Sequence, residues 1–105
     1  MGVRNYGIDL EASPEQCVVA ARSGKISVFE EVPGFGKVVL LEHTDGTVTF
    51  YGHLARVLAP HGRWIRQGEP LAVAGSTGDL ARGTELHFRV MRNEKYVDPL
   101  QSLPR

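Results

Sequence analysis

Scarcity bounds this 105-residue sequence before any motif does: one cysteine, no long apolar run, no surplus of either charge and no extended helical period. A lone cysteine, Cys17, excludes an internal disulfide and a thiolate zinc knuckle. Flanked by Val18 and Val19, Cys17 is read as a small core residue, and it fits either redox compartment. Twelve basic and twelve acidic side chains cancel, which removes the electrostatic footprint of a nucleic-acid partner. No apolar stretch approaches the roughly 20 residues needed to span a bilayer. The opening "MGVRNYGIDL" lacks the charged-then-apolar pattern of a signal peptide, and Tyr6 fills the Ser/Thr position of a myristoylation signal.

What is plentiful is turn chemistry. Twelve glycines and six prolines punctuate a chain that is 42% hydrophobic, a balance that suits an all-β domain with one modest core. "CVVAA", "KISVFEEV", "KVVLLEH", "VTFYGHL", "WIRQGEPLAVAG", "ELHFRVM" and "YVDPL" read in turn as strands. "KVVLLEH" is apolar enough to be buried on both faces. Asp45-Gly46 predicts a type I′ hairpin, with both residues at positive φ. "PGFG" (33–36) and "GSTGDLARGT" (75–84) are the loops with reach. The expected architecture is an antiparallel β-sandwich or folded sheet with long loops around a groove.

On "GTELHFRV", residues 83–90, the period of two turns Leu86, Phe88 and Val90 toward a core. Glu85, His87 and Arg89 then share the other face, with Glu85 and His87 roughly 6.5–7 Å apart. The residues alone leave two readings open: a polar strand face meeting solvent, or half of a metal or substrate site. In "TFYGHL", Thr49, Tyr51 and His53 are expected on one face, so that Tyr51 and His53 either line a cleft or leave His53 bonding a backbone carbonyl. His43 is expected to orient the following turn, His61 to sit in a surface loop, and Asp9 to serve a turn or cap.

Taken in order, these pieces resemble the LytM-type domain of the M23 (lysostaphin-like) zinc metallopeptidases, which cut peptide cross-links in peptidoglycan. The matching text is "NYGID", "GFG", "EHTDGTVTFYGHL", "GRWIRQGEPLAVAGSTG", "GTELHFRV" and "YVDP", running from Asn5 to Pro99. The resemblance implies one LytM-like domain over 1–105, of the M23 fold related to the barrel-sandwich hybrid. It also implies a domain excised from a longer envelope protein, with any export signal or anchor upstream. "WIRQGEPLAVAG" is also similar to the hairpin of biotinyl and lipoyl carriers, but Lys25, Lys37 and Lys95 lie outside such a hairpin.

The departures from the family pattern are specific. By resemblance, the zinc ligands fall on Asn5, Asp9 and His87, and the general base and transition-state stabiliser on Glu85 and His53. Asn5 thus stands at a lost ligand position, and Glu85 stands where a histidine base belongs. Catalytic zinc takes three ligands of His, Asp/Glu or Cys type, and this mapping leaves it two. A neutral amide oxygen suits harder ions. Without the metal, no bound water is brought near neutral pKa. Glu85 can fill the ligand role or the base role, leaving the other vacant.

Two functions therefore compete. In the first, a non-catalytic LytM-like domain regulates cell-wall machinery, activating a peptidoglycan amidase or scaffolding an envelope complex, with peptidoglycan itself a further candidate ligand. No metal or other cofactor is expected there; Asp9 and His87 are vestigial ligands, and His53 and Glu85 vestigial catalytic groups. The groove would be lined by Phe35, Tyr51, His53 and Glu85, and the setting would be the extracytoplasmic bacterial envelope. In the second, a zinc metalloendopeptidase with an altered ligand set still cleaves cross-links.

Overall fold

The structure, a computed structural model, describes residues 7–78 and 81–92 together with the backbone of strand 95–97. Asn5, Tyr6, Asp98 and Pro99 lie outside the described residues. Among the described residues nine strands follow the apolar runs: β1 Ile8–Glu11, β2 Cys17–Val19, β3 Gly24–Val32, β4 Gly36–Glu42, β5 Thr47–Val57, β6 Trp64–Ile65, β7 Pro70–Ala74, β8 Glu85–Arg92 and β9 Lys95–Val97. All named pairings are antiparallel, and no helix occurs among the described residues. The main path runs β1-β8-β5-β4-β3-β6; β7 joins β2 to β5, and β9 lies on β8. The all-β folded sheet expected from the sequence is the architecture found.

β5 is the strand on which the sheet turns. Its first half pairs with β8 as far as Gly52↔His87, and its second half pairs with β7 from Leu54↔Ala74. Between those two partners stands His53, with φ of 62°. Opposite β4 the register steps from Val39↔Tyr51 to Lys37↔Leu54, so three residues of β5 advance against two of β4. That is a β-bulge, which bends the strand and re-aims its side chains. The core then gathers from both sides of the bend: Val18, Leu71 and Ala72 with Ile26, Val39, Leu41, Tyr51, Leu54, Phe88 and Val90.

Three expectations are corrected here. Tyr51 does not line a cleft beside His53, because the bulge between them breaks the alternation that would have put them on one face. Tyr51 is only 1% exposed, edge-on to Phe88 with centroids 5.3 Å apart, and its hydroxyl accepts from Ala21 N–H at 3.0 Å. Cys17 is exposed rather than a core residue. In β2 the buried side chain is Val18, so strand alternation turns Cys17 and Val19 outward. At the Asp45-Gly46 turn only Gly46 has positive φ, 88°. Gly46 N–H donates to the His43 carbonyl at 3.2 Å and His43 N–H to the Thr47 carbonyl at 2.9 Å, a three-residue loop closed by a left-handed glycine rather than a type I′ turn. Asp45 accepts the Thr47 hydroxyl and Thr47 N–H, the latter at 3.0 Å, and pairs with Arg22 at 2.9 Å; these bonds, the Thr47 hydroxyl first, hold its carboxyl well below the usual carboxylate range.

His43 fastens that turn to the core. Its Nδ1 donates to the Ser23 carbonyl at 2.6 Å, which leaves Nε2 to take the Thr49 hydroxyl at 2.9 Å. Thr49 in turn hydrogen-bonds the buried Tyr51 hydroxyl at 3.2 Å. Burial is the main reason the His43 pKa lies below its ordinary value, reinforced by the Arg22 charge and opposed by the Ser23 carbonyl and Asp45. His61 is the surface-loop residue expected, its Nδ1 accepting Val28 N–H at 3.0 Å.

Two outcomes follow from this network. Tyr51→Phe strands the buried Ala21 N–H and should cost about 1–3 kcal/mol in urea unfolding. Because the folded state disfavours protonated His43, its contribution is fully present above the unfolded pKa near 6.5 and is lost as pH falls below it. Stability should therefore decline from about pH 6.5 downward, and His43→Gln should flatten part of that slope when unfolding midpoints are compared across pH.

Candidate functional site

On the opposite face of the bend from Tyr51, three side chains named in the sequence analysis converge. Asp9 on β1 and His87 on β8 are direct cross-strand partners, and Gly52 pairs with His87 from the other side. The bulge delivers His53 to the same place, so that Asp9, His53 and His87 each present one donor atom and all three donors lie within 4.8 Å of one another. Asp9 is thus a site residue on a strand, not a turn residue. Its carboxylate is part-exposed, whereas His53 and His87 are buried at 1% and 4% exposure.

Phe35 closes the site from above. Loop 33–36 carries its ring to 5.5 Å from the His53 ring and 4.8 Å from the His87 ring, centroid to centroid. His53 N–H donates to the Phe35 carbonyl at 2.7 Å. The loop itself is locked against residues 77–78. A Cβ built on Gly78, whose φ is 90°, would lie 2.5 Å from Gly36 N and 2.6 Å from the Gly34 carbonyl, so only a glycine permits that backbone contact. Thr77 completes the lock: its carbonyl accepts His53 Nδ1–H at 2.7 Å, while its hydroxyl donates to the Leu54 carbonyl and accepts Lys37 N–H. The carbonyl bond expected of His53 is therefore present, and it directs the ring's Nε2 into the site.

Glu85 faces that Nε2, with Oε1 at 3.7 Å, and is largely buried. The same oxygen accepts Arg82 N–H at 3.2 Å. With Nδ1 held at the Thr77 carbonyl, Nε2 is the ring atom that faces the Glu85 carboxylate. A donor entering between them would satisfy both.

One carboxylate and two imidazoles form a donor set that zinc accepts. The sequence reading counted only Asp9 and His87, and the fold adds His53. In this arrangement, however, the donors serve one another. His87 Nδ1 and Asp9 Oδ1 are 2.6 Å apart, a charge-assisted hydrogen bond, whereas two ligands of one tetrahedral zinc with bonds of about 2.0–2.1 Å sit roughly 3.3 Å apart. The other nitrogen of His87, Nε2, accepts from the Arg89 guanidinium at 3.4 Å. Burial lowers the His87 pKa, and the Asp9 bond and charge oppose it. A divalent ion using all three donors would have to displace the His87–Asp9 contact.

Sequence reasoning missed Phe50 and Arg89 as site residues. Phe50 neighbours Tyr51 and therefore faces the other way, edge-on to Phe35 at 5.3 Å and to His87 at 5.8 Å. Arg89 shares the Glu85–His87 face, and that alternation was the signal that could have found it. Its charge appeared to belong to solvent, whereas the guanidinium carbon lies 4.8 Å from the Phe50 ring centre and 5.3 Å from that of Phe35. An open cavity of about 720 Å³ lies elsewhere, beside loops 33–36 and 77–78, with Glu30, Glu31 and Lys37 in its lining. The two loops wall it on one side and cover the histidines on the other.

A strand-borne Asp/His cluster, a bulged Tyr-Gly-His-Leu strand and an interlocked glycine loop pair can be compared with known proteins. The chain is 38% identical to a lipoprotein NlpD/LppB homolog of Pseudomonas aeruginosa, the alignment covering 99% of this chain and 35% of that protein. It is 30% identical to the murein hydrolase activator NlpD of Escherichia coli, over 96% of this chain and 26% of the relative. It thus spans about a third or less of these relatives' length. A zinc-containing peptidase from Vibrio cholerae superposes with a TM-score of 0.84 at 32% identity, over 90% of this chain and 29% of that one. The model of peptidase family M23 matches residues 3–99. With fold, motif order and sequence all agreeing, this chain belongs to peptidase family M23.

Proposed function

We propose that this domain binds and regulates a cell-wall hydrolase of the amidase type and does not itself cut peptidoglycan. The observation that carries this reading is the closed chain Asp9–His87–Arg89, in which a proton and a guanidinium hold the donor atoms a metallopeptidase needs for its ion. A site without the ion has neither a Lewis acid for the scissile carbonyl nor a metal-bound water of near-neutral pKa. The relatives named as a murein hydrolase activator and an NlpD/LppB-type lipoprotein support the same reading, and the lipoprotein supports a place in the extracytoplasmic envelope as part of a longer protein. No helix among the described residues is long and apolar enough to cross a membrane.

The groove is suited to a basic partner segment. Glu85 and His53 Nε2 are acceptors 3.7 Å apart, which a lysine or arginine of the partner can bridge, and Glu30 and Glu31 extend the acidic surface beyond the 33–36 loop. Removing one member of a buried, hydrogen-bonded charge pair costs about 2–5 kcal/mol in complexes.

A second reading, a zinc endopeptidase with His53 drafted as third ligand, is favoured by the 4.8 Å cluster and the zinc-containing structural relative. Metal analysis and wall digestion separate the two. The purified chain should carry far less than one zinc per molecule and release no soluble fragments from peptidoglycan; stoichiometric zinc with cleavage would reverse the assignment. Added to a cell-wall amidase from the same organism, the chain should raise its rate. Glu85→Lys should weaken that stimulation at least about tenfold in half-saturating concentration, and an unchanged value would sink the proposed role of Glu85.

A further inference from the structure

We infer that Arg89 is the device that keeps this site closed to metal: its guanidinium is a built-in cation occupying the charge and the hydrogen-bonding position that a divalent ion would compete for. The observations are independent of the lost ligand at Asn5. Nη2 of Arg89 lies 3.4 Å from His87 Nε2. The guanidinium is held there by two aromatic rings, with Cζ 4.8 Å from the Phe50 centroid and 5.3 Å from the Phe35 centroid. Those rings meet edge to face at 5.3 Å and both also contact His87, so ring, cation and imidazole form one packed unit. Cations are attracted to aromatic faces most when desolvated.

Two consequences follow for any incoming ion. The first is electrostatic, because a fixed unit charge beside His87 repels a divalent cation through a partly buried medium where screening is weak. The second concerns hydrogen bonds. His87 Nδ1 lies 2.6 Å from Asp9 Oδ1 and Nε2 lies 3.4 Å from Arg89 Nη2, so both ring nitrogens are engaged. An ion approaching the Asp9 side must break the 2.6 Å His87–Asp9 contact, and the Arg89 guanidinium already sits against the other ring nitrogen. The remaining donor set of Asp9, His53 and His87 is already within 4.8 Å. Removing the cation should therefore admit a metal with no ligand added.

The test, which rests on the non-catalytic reading of the site, uses Co²⁺ alone as probe, followed by Zn²⁺ competition. Arg89→Met keeps the apolar stem between Phe35 and Phe50 but removes the charge. It should bind Co²⁺ at least about tenfold more tightly than the unsubstituted chain, with ligand-field absorption bands. Arg89→Lys, which keeps the charge, and Arg92→Met, which removes an exposed charge from the same strand, should stay at the unsubstituted level. The gain should vanish in Arg89→Met combined with His87→Ala. Equal affinity of Arg89→Met and the unsubstituted chain overturns the inference, as does a gain that survives loss of His87 or appears equally in Arg89→Lys. A second measurement needs no variant: ring ¹⁵N shifts should report His87 as the Nδ1–H tautomer and stay unmoved by added Zn²⁺. An Nε2–H tautomer would also overturn it. Amidase stimulation is scored separately, so failure of the metal titration and failure of the proposed function are told apart.

Discussion

A single left-handed residue holds the architecture and the site together. Strand β5 must pair with β8 on one side of its midpoint and with β7 beyond it, and only a bend lets one strand serve both. His53 supplies that bend at φ 62°, a region where a side chain with a Cβ is uncommon and needs support from its surroundings. Its backbone N–H is held by the Phe35 carbonyl and its ring by the Thr77 carbonyl. The two loops that grip His53 are themselves fastened by the Gly78 contact with Gly34 and Gly36. Strand curvature, loop position and ring orientation are therefore one mechanical unit.

From that unit the division of β5 into two chemistries follows. Before the bend, Thr49 and Tyr51 point inward and build a neutral hydrogen-bond chain with His43 and Ala21 N–H, a structural network far from any reacting group. On the other face, Phe50 and Gly52 leave room for His87. A Cβ on Gly52 would come within 2.9 Å of the Phe50 ring and 3.5 Å of both Phe35 and His87. Peptidase-family geometry thus survives in the backbone. In this chain that backbone sets a carboxylate at 85 against His53 and a guanidinium at 89 against His87.

Much of this was legible in the chain. Alternation in "ELHFRV" divides Phe88 and Val90 from His87, and the turn expected at "PGFG" (33–36) lies between β3 and β4. The errors share a physical origin, since each assumed that a local period runs on uninterrupted. Tyr51 was set beside His53 because a bulge has no period and leaves no composition signal. Cys17 was put inside because a three-residue strand offers too little alternation to decide which of its side chains is buried. Asp45 was given a positive φ because Asp-Gly permits several turns, and the Arg22 and Thr47 contacts that choose among them come from elsewhere in the chain.

The sequence by itself determined the strand content and the family, because side-chain chemistry, spacing and order are properties of the linear chain. It could also say that Asp9, Glu85, His53 and His87 bear on one another. Only the tertiary structure decided how: that His53 is a third donor facing away from Tyr51, that Asp9 and His87 meet at 2.6 Å, and that Arg89 lies against Phe35 and Phe50. Those outcomes depend on distances between residues up to 78 positions apart. Distances of that kind are set by strand register and by the bulge at His53, which bring together positions far apart in the chain.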